Sequence, residues 1–162
     1  RVRQRTARRK PGLMDSGTEG QPVGLNIPGV VGEVRAAFLR YQHAVDGKDV
    51  ETMNWLFWTS PLTVRFGPNG TLIGHDAIAN YRQTRTASAE PRALQNTGIT
   101  TFGRDFAATN TGTTKAVKPG TGRQSQVWIR TSRGWRTSAG QVAEQPETNA
   151  TRLADRPRAM GH

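Results

Sequence analysis

The chain has 162 residues, 34% of them hydrophobic, a formal net charge of +11 and no cysteine. That length suffices for one domain with a core, and the composition excludes disulfides, thiolate metal sites and a cysteine nucleophile. No run of about 18 apolar residues occurs, so no membrane-spanning helix is expected and the reading is a soluble cytoplasmic protein.

The opening RVRQRTARRK concentrates the charge; residues 1–23 hold six basic and two acidic side chains, and residues 24–144 hold fourteen and eight. No apolar segment follows the Arg8-Arg9 pair, which makes it a poor export signal. Without hydrophobic period, residues 1–23 read as a disordered basic tail. Met14 opens MDSGTEG as a native start would, so residues 1–13 read as upstream or fragment sequence; a nucleic-acid arm is the disfavoured alternative. The body is residues 24–144, and residues 145–162 read as a second disordered tail.

Within the body, Val30, Val34, Ala37, Phe38, Tyr41 and Val45 form a helical stripe over 28–45, opened by Pro28 and closed by Gly47. Asp49 can cap a short second helix through Met53, Trp55, Leu56 and Phe57, ended by Ser60-Pro61. Strands over 62–67 and 71–74 flank Pro68-Asn69-Gly70, a hairpin signal. Asp76 then caps a third helix carrying Ile78, Tyr81 and Arg85 at helical spacing, and 87–92 reads as loop. Four strands follow, over 97–102, 106–114, 122–130 and 135–142, with turns between them and the loop KAVKPGTG before the third.

Four consecutive strands with tight turns exclude a doubly wound sheet. The expected solution is α+β: a curved antiparallel sheet wrapped around three helices, leaving a cone-shaped space. In GRQSQVWIR, Gln124, Gln126 and Trp128 share one face. Two glutamines beside a tryptophan suit the wall of a cavity, part polar and part apolar.

The stretches FWTSPLTVRFG, LIG with YRQTR, ITTFGRDFA and GRQSQVWIRTSRGWR, in that order, resemble the oxalurate-catabolism HpxZ family. That family lies in the SnoaL-like branch of the nuclear-transport-factor-2-like superfamily, and the resemblance spans 27–142. It implies a cystatin-like cone, a dimer through the open sheet face, and a place in ureide breakdown beside an amidohydrolase; a related branch accompanies triazine-derived ureas. Three places, four residues in all, depart from the family pattern. Thr59-Ser60 stand where it tends to carry His-Asp, Gly70 where it often carries an acid, and Gln141 where it often carries a histidine. Each change replaces a titratable group with a neutral one and argues against acid–base catalysis.

The residues themselves point to binding. His43, His75 and His162 lack partners at ligand spacing, so no metal or cofactor is expected. Asp105 in FGRDF is the best acid and the candidate catalytic residue, though a turn role suits it equally. Arg65 shares a face with Thr63, opposite Val64 and Phe66. If those two pack under the helices, Arg65 faces outward; if the other face lines the cone, it offers a planar fork to a carboxylate. Arg85 has the same ambiguity.

Gln124 and Gln126 can donate to and accept from an amide or ureido group. Tyr41, Trp55, Trp58, Tyr81, Trp128 and Gln141 complete the candidate ligand-binding set. The expected ligand is a small ureido or amide carboxylate. The alternatives are a decarboxylase or lyase of the same pathway, and an interaction module with a vestigial pocket.

Overall fold

A computed structural model of the protein describes residues 20, 22, 24–85, 90–115 and 121–145. Most of both expected tails, and parts of the loops at 87–92 and 115–122, lie outside the described residues.

The first helix, α1 (Pro28–Asp46), has Pro28 in its first turn, and Gly47 closes it by donating its N–H to the His43 carbonyl at 2.8 Å. Val30, Val34, Phe38 and Tyr41 are buried along the expected stripe. Lys48 takes φ 56°, which turns the chain sharply into α2 (Val50–Trp55). Asp49 caps α2 as anticipated, accepting the Thr52 N–H at 3.0 Å.

The first hairpin is shorter than expected: β1 (Val64–Gly67) and β2 (Gly70–Ile73) begin after an exposed turn that contains Leu62. The third helix, α3 (His75–Thr84), is capped by Gly74 at φ 89°, not by Asp76. Asp76 lies in the first turn instead, where its charge favours the helix dipole.

The remaining strands are β3 (Arg92–Phe102), β4 (Phe106–Lys115), β5 (Thr121–Thr131) and β6 (Gly134–Gln145). β3 starts five residues earlier than the sequence suggested. Asn96, at φ 51°, sits in a register shift between Gln95 and Gly98 that breaks the two-residue alternation.

All six strands form one sheet in the order β2-β1-β6-β5-β4-β3. One pair departs from the expected antiparallel pattern: β1 runs parallel to β6, joined by the long excursion through α3 and the four intervening strands. The three helices lie over one face. Phe38 and Ile78 are almost wholly buried between helices and sheet with Leu56, Phe57 and Trp128, each such side chain contributing about 1.5–3 kcal/mol.

At one margin, the Trp135 indole donates to Glu33 of α1 at 3.0 Å, and Arg130 pairs with the same carboxylate at 2.6 Å. These contacts hold the Glu33 carboxyl below its ordinary value. Its stabilising contribution is complete above pH 4.5 and disappears as pH falls through the lowered value.

Replacing Asp49 with Ala should cost about 1 kcal/mol of stability in chemical denaturation with an unchanged m-value. A loss below a few tenths would mean that α2 is held by packing alone.

Candidate ligand-binding cavity

Register determines which side chains enter the cone. Across the sheet, Leu72 of β2 pairs with Arg65 of β1, Arg65 with Gly140 of β6, Gly140 with Gln126 of β5, and Gln126 with Thr109 of β4. Residues paired this way share a face, and this row is the inner one. Arg65 is therefore buried while Phe66 is exposed, the reverse of an arrangement with Phe66 packed under the helices.

The space between this face and the helices is a cavity of about 640 Å³. Tyr41, Arg65, Tyr81, Arg82, Arg85 and Gln124 are among the residues lining it. Six of the described lining residues are cationic (Lys48, Arg65, Arg82, Arg85, Arg92 and Lys115) and three are acidic (Asp46, Glu90 and Glu144). Arg92 is already engaged, its Nε bonding Asp46 at 2.9 Å and its Nη2 bonding the buried Gln42 at 2.8 Å.

Arg65 and Arg82 differ: none of the described ion pairs involves either. Arg82 is 8% exposed, donates to Asn54 Oδ1 at 3.0 Å and to the Tyr41 hydroxyl at 3.3 Å, and lies 4.2 Å from the Phe57 ring centroid. Burial holds its guanidinium below the ordinary arginine value, and neighbouring Arg65 pushes in the same direction, while Tyr41 opposes both. Asn54 is itself fixed, its carbonyl within 2.9 Å of His75 Nε2.

The Arg65 guanidinium lies 5.4 Å from the Tyr81 ring centroid and folds back over Gly67, where a Cβ would come within 2.8 Å of Nη1. Arg85 approaches Tyr81 as well, at 5.9 Å.

Beside the arginines is an amide relay. Gln124 Nε2 donates to Gln126 Oε1 at 2.9 Å, and Gln126 Nε2 donates to Thr137 Oγ1 at 3.1 Å. Both ends of the Gln126 amide are used, its oxygen accepting and its nitrogen donating, and Gln124 keeps its carbonyl oxygen as an acceptor.

Several candidates do not reach this space. Trp128 is fully buried and its indole donates to Thr109 at 2.9 Å, so it pins β5 to β4 within the core. Trp55 is 43% exposed on the outside, stacked by Arg136 at 3.5 Å and Arg40 at 4.5 Å. Trp58 lines no part of the cavity; its backbone carbonyl accepts the Thr63 hydroxyl at 2.6 Å. Gln141 pairs with Ser125 on the outer face and is exposed, touching only the margin of a small inner recess.

Asp105 is a correction to the catalytic expectation. It sits in the exposed β3–β4 turn with Arg130 Nε at 3.5 Å. Along β4 it is eight residues from Thr113, a lining residue, a separation of roughly 26 Å.

Sequence reasoning missed Arg82 and the Gln42–Arg92–Asp46 network. The signal for Arg82 was available: it lies four residues after Ile78, on the same helical face as Tyr81 and Arg85. Among the described residues no cluster of His, Cys, Asp or Glu could hold a metal ion, and no helix is long and apolar enough to cross a membrane.

The curved sheet with its helices over one face is a cystatin-like fold, the fold also seen in nuclear-transport-factor-2-like proteins. A Pectobacterium atrosepticum protein of unknown function from the DUF3225 family is similar at 38% identity and a TM-score of 0.74, covering 77% of this chain and 98% of that one. A cystatin-like fold protein from Burkholderia xenovorans is 38% identical at a TM-score of 0.72, covering 76% and 98%. A Salmonella enterica nuclear-transport-factor-2-like superfamily protein, 24% identical at a TM-score of 0.62 and covering 83% and 98%, shares the fold.

A family model, AtzH-like, matches residues 23–148, and the chain belongs to the AtzH-like family. No curated protein matches it.

Because the guanidinium of Arg65 occupies the space a Gly67 side chain would need, Gly67→Ala should move that guanidinium and leave stability within about 0.5 kcal/mol. Anion affinity should then fall at unchanged melting temperature. An unchanged affinity would separate Arg65 from ligand recognition.

Proposed function

We propose that the protein binds a small carboxylate bearing an amide or ureido group, within oxalurate or related ureide catabolism from purine or triazine breakdown. The supporting observation is the pair of buried guanidiniums, Arg65 and Arg82, that meets no carboxylate in the described ion pairs. A buried cation gains most from an anion brought by the ligand, and Arg65 offers a planar fork to receive it. The Gln124 carbonyl suits an amide N–H, and the rings of Tyr41 and Tyr81 suit a flat ureido plane. Membership of the AtzH-like family agrees with a binding fold of this kind.

The reading extends to an accessory role beside a cytoplasmic amidohydrolase, in a homodimer through the outer sheet face. Ile73, Val64, Ala139 and Val127 form one row on that face, with Phe66 beside them, and Ile73, Phe66 and Val127 are exposed. Such a row favours protein contact. Proton-transfer catalysis by Asp105 is not part of this reading, since the residue lies in a distant turn.

Small ureido acids, oxalurate included, should raise the melting temperature of the protein. At a hundredfold excess over Kd the stabilisation is about 2.7 kcal/mol, a rise of roughly 5–10 °C. The rise should vanish in Arg65→Ala. No response to any carboxylate of the series would defeat the binding reading and shift attention to the sheet face.

A further inference from the structure

The cavity ends in a small recess of about 10 Å³, lined by Tyr41, Phe57, Arg65, Gln124, Gln126 and Gly140 among others. Register explains its existence. Gly140 is the paired neighbour of Arg65 on one side and of Gln126 on the other. With no side chain between the two, a gap remains above the Gly140 backbone, bounded by Phe57. A Cβ placed on Gly140 would meet Phe57 Cζ at 3.4 Å, Phe57 Cε1 at 3.8 Å and Thr137 Cγ2 at 3.9 Å, ordinary contact distances. The glycine is thus not required by backbone conformation, since its φ lies outside the positive range that excludes side chains.

The polar groups around the recess have complementary unused capacity. Tyr41 accepts from Arg82 and keeps its own hydrogen to donate. Gln124 has committed its Nε2 to Gln126 and keeps its carbonyl. Arg65 brings guanidinium donors that enter none of the described hydrogen bonds or ion pairs with a side chain. A volume of this size holds one water, and a buried water needs two to four polar partners. A carboxylate or amide group of the ligand, with three heavy atoms, is too large.

We infer that the recess is a single-water site, created by the missing side chain of Gly140. The water donates to the Gln124 carbonyl and accepts from Arg65 or Tyr41, and it stays in place as the floor of the ligand cavity. A chloride ion fits less well, because the Gln124 oxygen would face it unfavourably. Through this water, Gly140 positions the Arg65 fork relative to the amide relay. The ligand side of the inference rests on the proposed carboxylate binding; the water site does not.

The test is a crystal structure of the full chain at a resolution that orders solvent, for the wild type, Gly140→Ala and Gln124→Met. The wild-type map should show one peak within hydrogen-bonding distance of Arg65 and Gln124, and Gly140→Ala should lack it. Gln124→Met, which keeps the shape and removes the acceptor, should weaken or lose the peak. A wild-type recess without a peak beside well-ordered Arg65 and Gln124 overturns the inference, as does a peak that survives in Gly140→Ala.

Where a carboxylate ligand is in hand, Gly140→Ala should bind it several-fold more weakly at an unchanged melting temperature. Equal affinity would show that the water has no role in recognition. If no carboxylate binds the wild type, the proposed function fails while the maps still decide the water site.

Discussion

Two buried guanidinium groups, Arg65 and Arg82, line the cavity, and the described ion pairs give neither a carboxylate. Withdrawing such a charge from water costs several kcal/mol when nothing compensates it. Compensation here is partial and consists of dipoles and rings. Arg82 has the Asn54 amide, the Tyr41 hydroxyl and the Phe57 face, and Arg65 has the Tyr81 face. A core built only for stability would place an acid there or an apolar side chain of equal volume. Arg92 shows that this fold can do so, since Asp46 and Gln42 each accept a hydrogen bond from it at the same cavity. The contrast between Arg92 and the pair Arg65 and Arg82 is the observation on which the proposed anion recognition rests.

The rest of the architecture keeps those groups in place. α3 delivers Tyr81, Arg82 and Arg85 along one face, and its start is fixed by Gly74 and by the bond between His75 and Asn54. Asn54 lies on α2, whose own start depends on Asp49. The parallel pairing of β1 with β6 sets Arg65 opposite Gly140, and the indole of Trp128 locks β5 to β4 so that Gln124 and Gln126 face inward. Positioning is therefore shared by all three helices and the inner row of the sheet, while the chemistry is confined to two arginines and one amide relay.

Much of this was legible in the sequence, because period carries it. The stripe of α1, the Asp49 cap, the second hairpin series and the inward face of Gln124 and Gln126 all follow from spacing. Arg65 was ambiguous for a physical reason: β1 has only four residues, and its apolar Val64 and Phe66 lie on the outer face, so alternation cannot identify the inside. Trp55 and Trp128 were assigned to the cavity on size and aromaticity. One is held outside by arginine stacking and the other is consumed by the core, and neither outcome has a local signature. The early start of β3 was hidden by the kink at Asn96. Arg82 needed only the helical spacing from Ile78 to be taken as seriously for a charged residue as for an apolar one.

The proposed binding of an anion by Arg65 and Arg82 can be tested without knowing the natural ligand. Crystals soaked in bromide and measured at the bromine absorption edge would locate anion sites directly by anomalous scattering. An interior peak in contact with Arg65 and Arg82 is expected, and it should be lost in Arg65→Ala. Bromide confined to surface arginines, with the cavity clear in well-ordered density, would contradict it.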